Sequence, residues 1–483
     1  MFRLFKHYID KSTIILFAGE ISYLFIQSIV VFGLLQSFQA RITFDSGFIP
    51  ALVVSLLTVS GMACVGLYNR HHFVHYQDVF SRSIVILPIV LLAILTGLFA
   101  RDRAFDIAVM SGNYLLFFIS LTGFFPAFLI WRAAFIRMID HSDTLKRRVL
   151  IIGSGKRAAK IEKLNHELGN RAITVVGYVR FGQPPAPQTA EAQQQQGADY
   201  CRRSADRRTD FWIAPADLPG FCAEKRVDEL VVAVAERRGL PVYDLLACKL
   251  RGVQVTEYAS FWERESGQVD LEEISPSWLL FSDGFHIGPF RGFFKRSFDV
   301  VISLLVLVLT LPLTIPAALL VKVESKGPLF YRQERVGMKG KPFMVLKFRS
   351  MRTDAEKDGP RWAAKNDNRV TKVGAFIRKV RIDEIPQVIN VLKGDMAFVG
   401  PRPERPVFVR ALAEKIPYYN ERHVAKPGIT GWAQINYPYG ATEHDAKMKL
   451  TYDLYYIKNC SLFLDIIIIM QTVKVLLWNQ GAR

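Results

Sequence analysis

The sequence predicts a membrane protein that combines an all-α part with α/β parts, and three observations carry that prediction. Half of the residues are hydrophobic, and many are gathered into long runs near the amino terminus. A short apolar strand at 147–153 opens directly into a glycine turn. A basic carboxy-terminal part begins with one more apolar run, Phe298 to Val321, and is punctuated by Gly-Pro loops. With 483 residues the chain exceeds one ordinary domain, and its net charge of +18 favours an acidic partner. Anionic lipid, phosphorylated substrate and nucleic acid all fit that charge, but the clustering of apolar residues favours the membrane and argues against nucleic acid.

Residues 13–36, 49–68, 83–100 and 107–131 are each close to the roughly 20 apolar residues that cross a bilayer. Four transmembrane helices are expected within 1–140. The first is preceded by Arg3, Lys6 and Lys11 and shows no small-residue cleavage site, so it is expected to stay in the mature protein. The loop after it carries Arg41 as its clear basic residue, whereas Arg132, Arg137, Lys146, Arg147 and Arg148 crowd the exit of the fourth. Both ends therefore face the cytoplasm. Glu20, inside the first run, is expected to form a buried hydrogen bond between helices, and no functional role is assigned to it. The cysteines, Cys64, Cys201, Cys222, Cys248 and Cys460, show no CxxC and no zinc spacing, and read as unpaired thiols.

In the middle region, 141–285, "RRVLIIG" is followed by "GSGKRAA", so Gly153, Gly155 and Ala158 fit a G-x-G-x-x-A turn at a helix start. Further strands at Ile173–Val179, Glu229–Ala235 and Val253–Tyr258 make a parallel, Rossmann-like cytoplasmic unit. Its second strand, "ITVVGYV", ends without the acid that takes ribose hydroxyls. Tight strand–helix packing explains the glycines as well as a cofactor does. Residues 184–198, "PPAPQTAEAQQQQGA", read as a flexible insertion.

The run Phe298–Val321 is bracketed by Lys295 and Arg296 on one side and Lys322 and Lys326 on the other. A crossing helix would put one cluster outside the cytoplasm, against the charge rule. A helix that enters and returns satisfies both, and Pro312, with Pro316 a turn later, supplies a break. Hydropathy alone favours a kinked spanning helix.

From Lys322 to Arg405, lysines and arginines are spaced between hydrophobic residues, among them Lys347, Arg349, Arg369, Arg378 and Arg381. A solvated face or a grip on anionic lipid would account for some of them. The loops "KGP" (326–328), "KGDMAFVGPRPERP" (393–406) and "KPGITGWAQI" (426–435) point instead to a preorganised anion pocket. Within this part, "RIDEIPQ" (381–387) sets Asp383 beside Glu384. Ile385, Val388, Ile389 and Leu392 follow helical spacing and Gly394 is a natural stop, which predicts a helix from about Asp383 to Lys393. Acids at a helix start need no chemistry to explain them. Neighbours on a helix project about 100° apart, however, so two such carboxylates would divide labour. One can attack phosphorus, with arginines and magnesium, held by one or two carboxylates and the substrate phosphates, offsetting the charge repulsion.

Four stretches, "KRSFDVVISLLVLVLTLPLTIPAALLVKVESKGPLFYRQERVG", "KFRSMRTDA", "NDNRVTKVGAFIRKVRIDEIPQVINVLKGDMAFVGPRPE" and "KPGITGWAQI", resemble in order and spacing the catalytic domain of the monotopic phosphoglycosyl transferases. The resemblance covers about 290–483, and the preceding regions look like the long-form members that start exopolysaccharide, capsule or O-antigen synthesis. It implies transfer of a sugar-1-phosphate from a UDP-sugar to undecaprenyl phosphate, with release of UMP, at the cytoplasmic face of the bacterial inner membrane. Asp383 would be the nucleophile and, with the diphosphate, the Mg2+ ligand; Glu384 would be its partner. Arg378 and Arg402 would bind donor phosphate or nucleotide, and Lys347 would join them. The family's membrane helix is re-entrant and broken at a proline, typically Ser-Pro. Here Leu311 precedes Pro312, leaving Thr310 or Thr314 to take the freed carbonyl.

Two rivals stand beside this reading. A membrane-bound nucleotide-sugar dehydratase or epimerase predicts a Tyr-x-x-x-Lys pair and a ribose-binding acid in 147–260, and neither is present in the sequence. A non-enzymatic polysaccharide-assembly scaffold predicts that Asp383 is dispensable. The sugar is left open, as is whether the Rossmann-like unit binds a ligand or braces a homodimer. The last apolar segment, "SLFLDIIIIMQTVKVLLW", is expected to be an interfacial helix.

Overall fold

The computed structural model describes residues 2–4, 7–9, 11–37, 55–63, 130–138, 146–180, 210–274 and 288–477, apart from interruptions of which 356–367 is the longest, and a few single residues between 276 and 285. Helix α1 (Lys11–Ser37) occupies the first expected span. Of the other three, 83–100 lies outside the described residues, and only parts of 49–68 and the exit of 107–131 are described. Glu20 of α1 and Arg132 are both buried and joined twice, Nε to Oε1 at 2.5 Å and Nη2 to Oε2 at 3.2 Å. The expected interhelical hydrogen bond is therefore a two-pronged ion pair, which leaves neither charge uncompensated in apolar surroundings.

The middle region is a five-stranded sheet: β1 (Arg147–Ile152), β2 (Ile173–Arg180), β3 (Asp210–Ile213), β4 (Glu229–Val232) and β5 (Gln254–Glu257). All pairings are parallel, in the order β3-β2-β1-β4-β5. Helices α2 (Lys156–Glu167), α3 (Leu218–Glu224), α4 (Val242–Leu250) and α5 (Tyr258–Ser266) connect or follow the strands. The period-2 geometry of a strand with both faces covered explains why β1 is apolar from Val149 to Ile152, after its two arginines. Val149 and Ile151 enter one core cluster while Leu150 and Ile152 enter another. The four-residue β3, "DFWI", was not expected from the sequence; it follows the 184–198 stretch, which lies outside the described residues. At the glycine turn, Gly153 adopts φ 119° and its amide donates to Val179 O at 2.9 Å. A Cβ there would lie 3.1 Å from the Ala233 carbonyl oxygen, so close packing of strand ends accounts for this glycine. Arg157 and Lys160 of α2 pair with Glu273 and Asp270.

Helix α6 (Pro289–Glu324) is long and apolar enough to cross a membrane, about 54 Å at 1.5 Å per residue. The expectation of a break at Pro312 is corrected: the helix is continuous through both Pro312 and Pro316. Proline at 312 removes the amide that would have served the Val308 carbonyl. The nearby hydroxyls go elsewhere, Thr310 to Val306 O at 2.7 Å and Thr314 to Leu311 O at 3.4 Å. A stripe of Asp299, Ser303, Thr314, Ala317 and Val321 is buried, while Val301, Leu305, Val308, Leu309, Leu313 and Leu319 are exposed.

Both ends of α6 are tied to the same carboxy-terminal part. Arg296 donates to Val391 O and Leu392 O at 2.5 and 2.7 Å, and Asp299 accepts from Phe398 N at 3.1 Å. At the other end, Arg349 donates to Ser325 O at 2.7 Å and Lys326 O at 3.2 Å, and Ala317 and Val321 pack with Phe348 and Ile377.

That part contains the antiparallel hairpin β6 (Phe330–Val336) and β7 (Pro342–Phe348), then α7 (Lys372–Lys379), α8 (Gln387–Lys393), the parallel pair β8 (Ala397–Val399) and β9 (Gly428–Thr430) with α9 (Pro406–Lys415) between them, and α10 (Glu443–Asn459) and α11 (Leu462–Leu477). The glycines of "FVGPRP" and "KPGITG" permit β8 and β9 to touch: a Cβ on Gly428 would lie 2.1 Å from Gly400 N. α11, the helix expected to be interfacial, is docked on this part through one face. Its Asp465 is fully buried, pairing with Lys295 and accepting from Tyr456 OH, both at 2.8 Å. α5 and the segment after it join the middle region to α10, through Lys458 to Glu263 at 2.8 Å and Val269 N to Thr451 O at 3.1 Å.

Candidate active site

Local backbone geometry, more than helix propensity, places the acid pair. α7 ends at Lys379 with Val380 as its cap, and Arg381 takes a left-handed conformation with φ 60°, which reverses the chain. Pro386 has no amide to return to Ile382 O, and Ile385 N takes that carbonyl instead at 3.2 Å. The expected α-helix from Asp383 is accordingly a 3-10 turn, Ile382–Glu384, with α8 starting only at Gln387 and stopping at Gly394, φ 95°. In a 3-10 turn successive side chains are about 120° apart, so the two carboxylates diverge further than on an α-helix. The amides of Val388 and Ile389 already bond Ile385 O and Pro386 O, so anion binding falls mainly to side chains.

Those side chains are brought together by separate elements around a cleft of about 500 Å³. Lys347, on β7 opposite Tyr331, donates to Glu384 Oε1 at 2.7 Å. Arg402, from the loop after β8, donates to the same oxygen, also at 2.7 Å. Their charges hold Glu384 well below the usual carboxylate range, against the upward push of burial. Asp383 is 8% exposed, and among the described residues no donor bonds its carboxylate. Burial first and the Glu384 charge second push it up to about 6, with Lys347, Arg378 and Arg381 pulling the other way. Burial likewise lowers Lys347, while the Glu384 charge opposes that shift.

The sequence-predicted residues Lys347, Arg378, Asp383, Glu384 and Arg402 all line this cleft. Pro312 does not: it lies within α6. Arg349 also lines the cleft, but its guanidinium is spent on the carbonyls that end α6. Sequence reading missed Arg335, Arg422, Glu404 and Lys449, which line the cleft as well. Arg335 had a signal in the alternation of "YRQERV", whereas Arg422, in the 3-10 segment "YNERHV", had none.

Among the described residues no group of three or more histidine, cysteine or acidic side chains is placed to hold a metal. Asp383 supplies a carboxylate that no donor occupies, whereas Glu384 Oε1 is taken by two cations. That donor set suits Mg2+ only when substrate phosphates complete the shell, which is its common mode.

An apolar helix held at both ends by one folded part, beside a cleft in which arginines surround an unequal acid pair, defines a membrane-associated protein equipped to engage anionic groups. The chain belongs to the bacterial sugar transferase family, whose profile matches residues 290–479. It is 41% identical over 239 residues to the UDP-N-acetylgalactosamine-undecaprenyl-phosphate N-acetylgalactosaminephosphotransferase of Aeromonas hydrophila, covering 50% of this chain and 56% of that protein. It is 34% identical over 358 residues to the undecaprenyl-phosphate glucose phosphotransferase of Komagataeibacter xylinus, covering 71% and 62%. With the UDP-glucose:undecaprenyl-phosphate glucose-1-phosphate transferase of Caulobacter vibrioides it shares 43% over 192 residues, 39% of this chain and 71% of that one. The matches thus span less than two thirds of the first two relatives.

Proposed function

We propose that the protein transfers a sugar-1-phosphate from a UDP-sugar to undecaprenyl phosphate at the cytoplasmic face of the bacterial inner membrane, initiating a surface polysaccharide. The observation that carries this reading is the inequality of the acid pair. Glu384 is neutralised by Lys347 and Arg402, while Asp383 faces the cleft without a donor and is the more basic of the two. A carboxylate near 6 is about ten-to-one ionised at pH 7, and it is a better nucleophile than one of ordinary acidity.

Asp383 Oδ attacks the sugar-bearing phosphorus, a phosphorus–oxygen bond forms, and the bond to the bridging oxygen breaks, so UMP leaves with the electron pair. A phosphate oxygen of undecaprenyl phosphate then attacks the same phosphorus. The aspartyl–phosphorus bond breaks, which restores the carboxylate and yields the lipid diphosphate sugar. Arg378 and Arg402 face the phosphates through both steps, and Glu384 anchors Arg402 and Lys347 where charge develops. Magnesium, held by Asp383 and the diphosphate, would add neutralisation of phosphate charge. Both ends of α6 are tied to the part that carries the cleft, which supports a cleft held beside the membrane and within reach of a lipid phosphate. The parallel strand order of the middle region supports the Rossmann-like reading of that unit. Relatives named for N-acetylgalactosamine and for glucose leave the sugar open.

The test is to incubate purified protein with Mg2+, undecaprenyl phosphate and a panel of UDP-sugars and to measure UMP. Release with at least one sugar is expected, and it should vanish in Asp383→Asn. Silence across the panel, or normal turnover of the variant, would overturn the proposal.

A further inference from the structure

The loop that carries Arg402 is held by a ladder of donors. Pro401 O accepts from Gly428 N at 2.9 Å, Arg402 O from Arg422 Nη2 at 3.0 Å, Pro403 O from Arg335 Nη1 at 2.9 Å and Glu404 O from Val336 N at 2.9 Å. Two of these donors are side chains. Of the two, Arg422 is the more deeply set, its side chain 7% exposed. Its Nη1 donates to Tyr419 OH at 2.7 Å, and its guanidinium lies 5.1 Å from the centre of that ring. Its Nη2 lies 2.7 Å from Asp453 Oδ2 of α10, off the line of the N–H bond, and the Asp453 side chain is only 2% exposed.

A buried ion pair is a poor way to gain stability, because apolar side chains of the same volume often do as well or better. Geometry is what this pair supplies. Asp453 fixes the guanidinium, the guanidinium fixes the Arg402 carbonyl, and the Arg402 side chain meets Glu384 at 2.7 Å. The same stretch of α10 is gripped from the middle region, where Val269 N donates to Thr451 O at 3.1 Å and Gln268 Nε2 to Tyr452 OH at 2.7 Å.

We infer that Asp453 and Arg422 are positioning residues, holding the Pro-Arg-Pro loop so that Arg402 stays on Glu384 and faces the cleft. The activity readout of this inference rests on the proposed transfer reaction; the loop readout does not. In the full-length protein, Asp453→Asn keeps the volume and removes the charge. It is expected to lower kcat/KM for UMP release about 10- to 100-fold, as loss of outer supporting partners commonly does. Amide hydrogen exchange in the peptide covering 398–405 should quicken. In an Arg402→Ala background the same change should cost less than about threefold more, since its effect runs through Arg402. Tyr419→Phe, which removes one acceptor from Arg422, should move both readouts the same way by a smaller step, and it carries the test if Asp453→Asn does not fold. Unchanged exchange over 398–405 in the folded variants, or a loss of activity retained in full in Arg402→Ala, would overturn the inference. If the wild type released no UMP from any UDP-sugar, the proposed function would fall while the exchange measurement still decided this point.

Discussion

The Arg402 guanidinium reaches Glu384 through one oxygen, Oε1, at 2.7 Å. Lys347 uses that same oxygen at the same distance, so two cations are committed to one of two adjacent acids. The chain achieves this because Arg381 and Pro386 force a 3-10 turn that sends neighbouring side chains in different directions. Glu384 points into the lysine and arginine, and Asp383 is left as the more basic carboxylate.

That inequality fixes a pH dependence. Asp383 must be ionised to attack, so kcat/KM for UMP release should fall about tenfold per pH unit below about 6. Glu384→Gln removes the like charge and leaves Lys347 and Arg402 facing Asp383, so the acid limb should move down by about one unit or more. The stability sign is opposite to that of an ordinary paired carboxylate. Because the folded Asp383 binds its proton more tightly than the unfolded group at 3.8, its contribution to stability declines as pH rises from 3.8 through about 6. pH–rate profiles of the two proteins check the shift, and an unmoved limb would detach the perturbation from Glu384.

Much of this site was legible in the sequence because it is built from local punctuation. "RIDEIPQ" announces two acids at a helix start, although the 3-10 form of that start was not read, and the glycines and prolines of "FVGPRP" and "KPGITG" announce rigid loops around an anion pocket, whose close backbone contact only the structure shows. Lys347, Arg378 and Arg402 could be nominated from their motifs. What could not be read is the division of arginines into those facing the cleft and those consumed by structure. Arg349 sits in the same motif as Lys347, yet it satisfies the carbonyls at the end of α6, and Arg422 reaches the Arg402 loop from a segment without periodicity. Such roles depend on contacts between residues far apart in the chain. The short β3 escaped for a related reason, because it is defined by its backbone pairing with β2, some thirty residues earlier; the helix that runs on through Pro312 had no signal in local preference.

Arg349 carries its own prediction. Its guanidinium meets Ser325 O at 2.7 Å, Ser325 Oγ at 2.9 Å and Lys326 O at 3.2 Å. Arg349→Ala removes all three donors from backbone and hydroxyl oxygens at the end of a helix, and it should lower stability by about 1–3 kcal/mol. Lysine, a single ammonium without the planar fork, should recover only part of that. Thermal unfolding of the purified variants measures the effect, and an unchanged midpoint for Arg349→Ala would show that water replaces the guanidinium at no cost.

The path of α6 is open to direct labelling. Gly288 precedes the helix with open space around it, and Lys326 follows it and is exposed. Cysteines placed singly at 288 and 326, in a background lacking the native cysteines, should react with a membrane-impermeant maleimide from the same side of the membrane. The anchors at Arg296 and Arg349 require this if the part they tie down stays on one face. Labelling from opposite sides would mean that α6 spans the bilayer.

The choice between the two acids as nucleophile reduces to a single trapping experiment. With a productive UDP-sugar and no lipid acceptor, the first half of the proposed reaction should proceed once and stop, giving UMP close to stoichiometric with enzyme. The peptide containing 381–387 should gain the mass of one sugar phosphate. Asp383→Asn should abolish both signals, a loss of at least about 10⁴-fold in turnover if the residue is the nucleophile. Glu384→Gln should still show the adduct, formed more slowly because Arg402 and Lys347 have lost the anion that orients them. An adduct that survives in Asp383→Asn and disappears in Glu384→Gln would reverse the assignment. UMP release without any adduct would replace the two-step route with direct attack by the lipid phosphate.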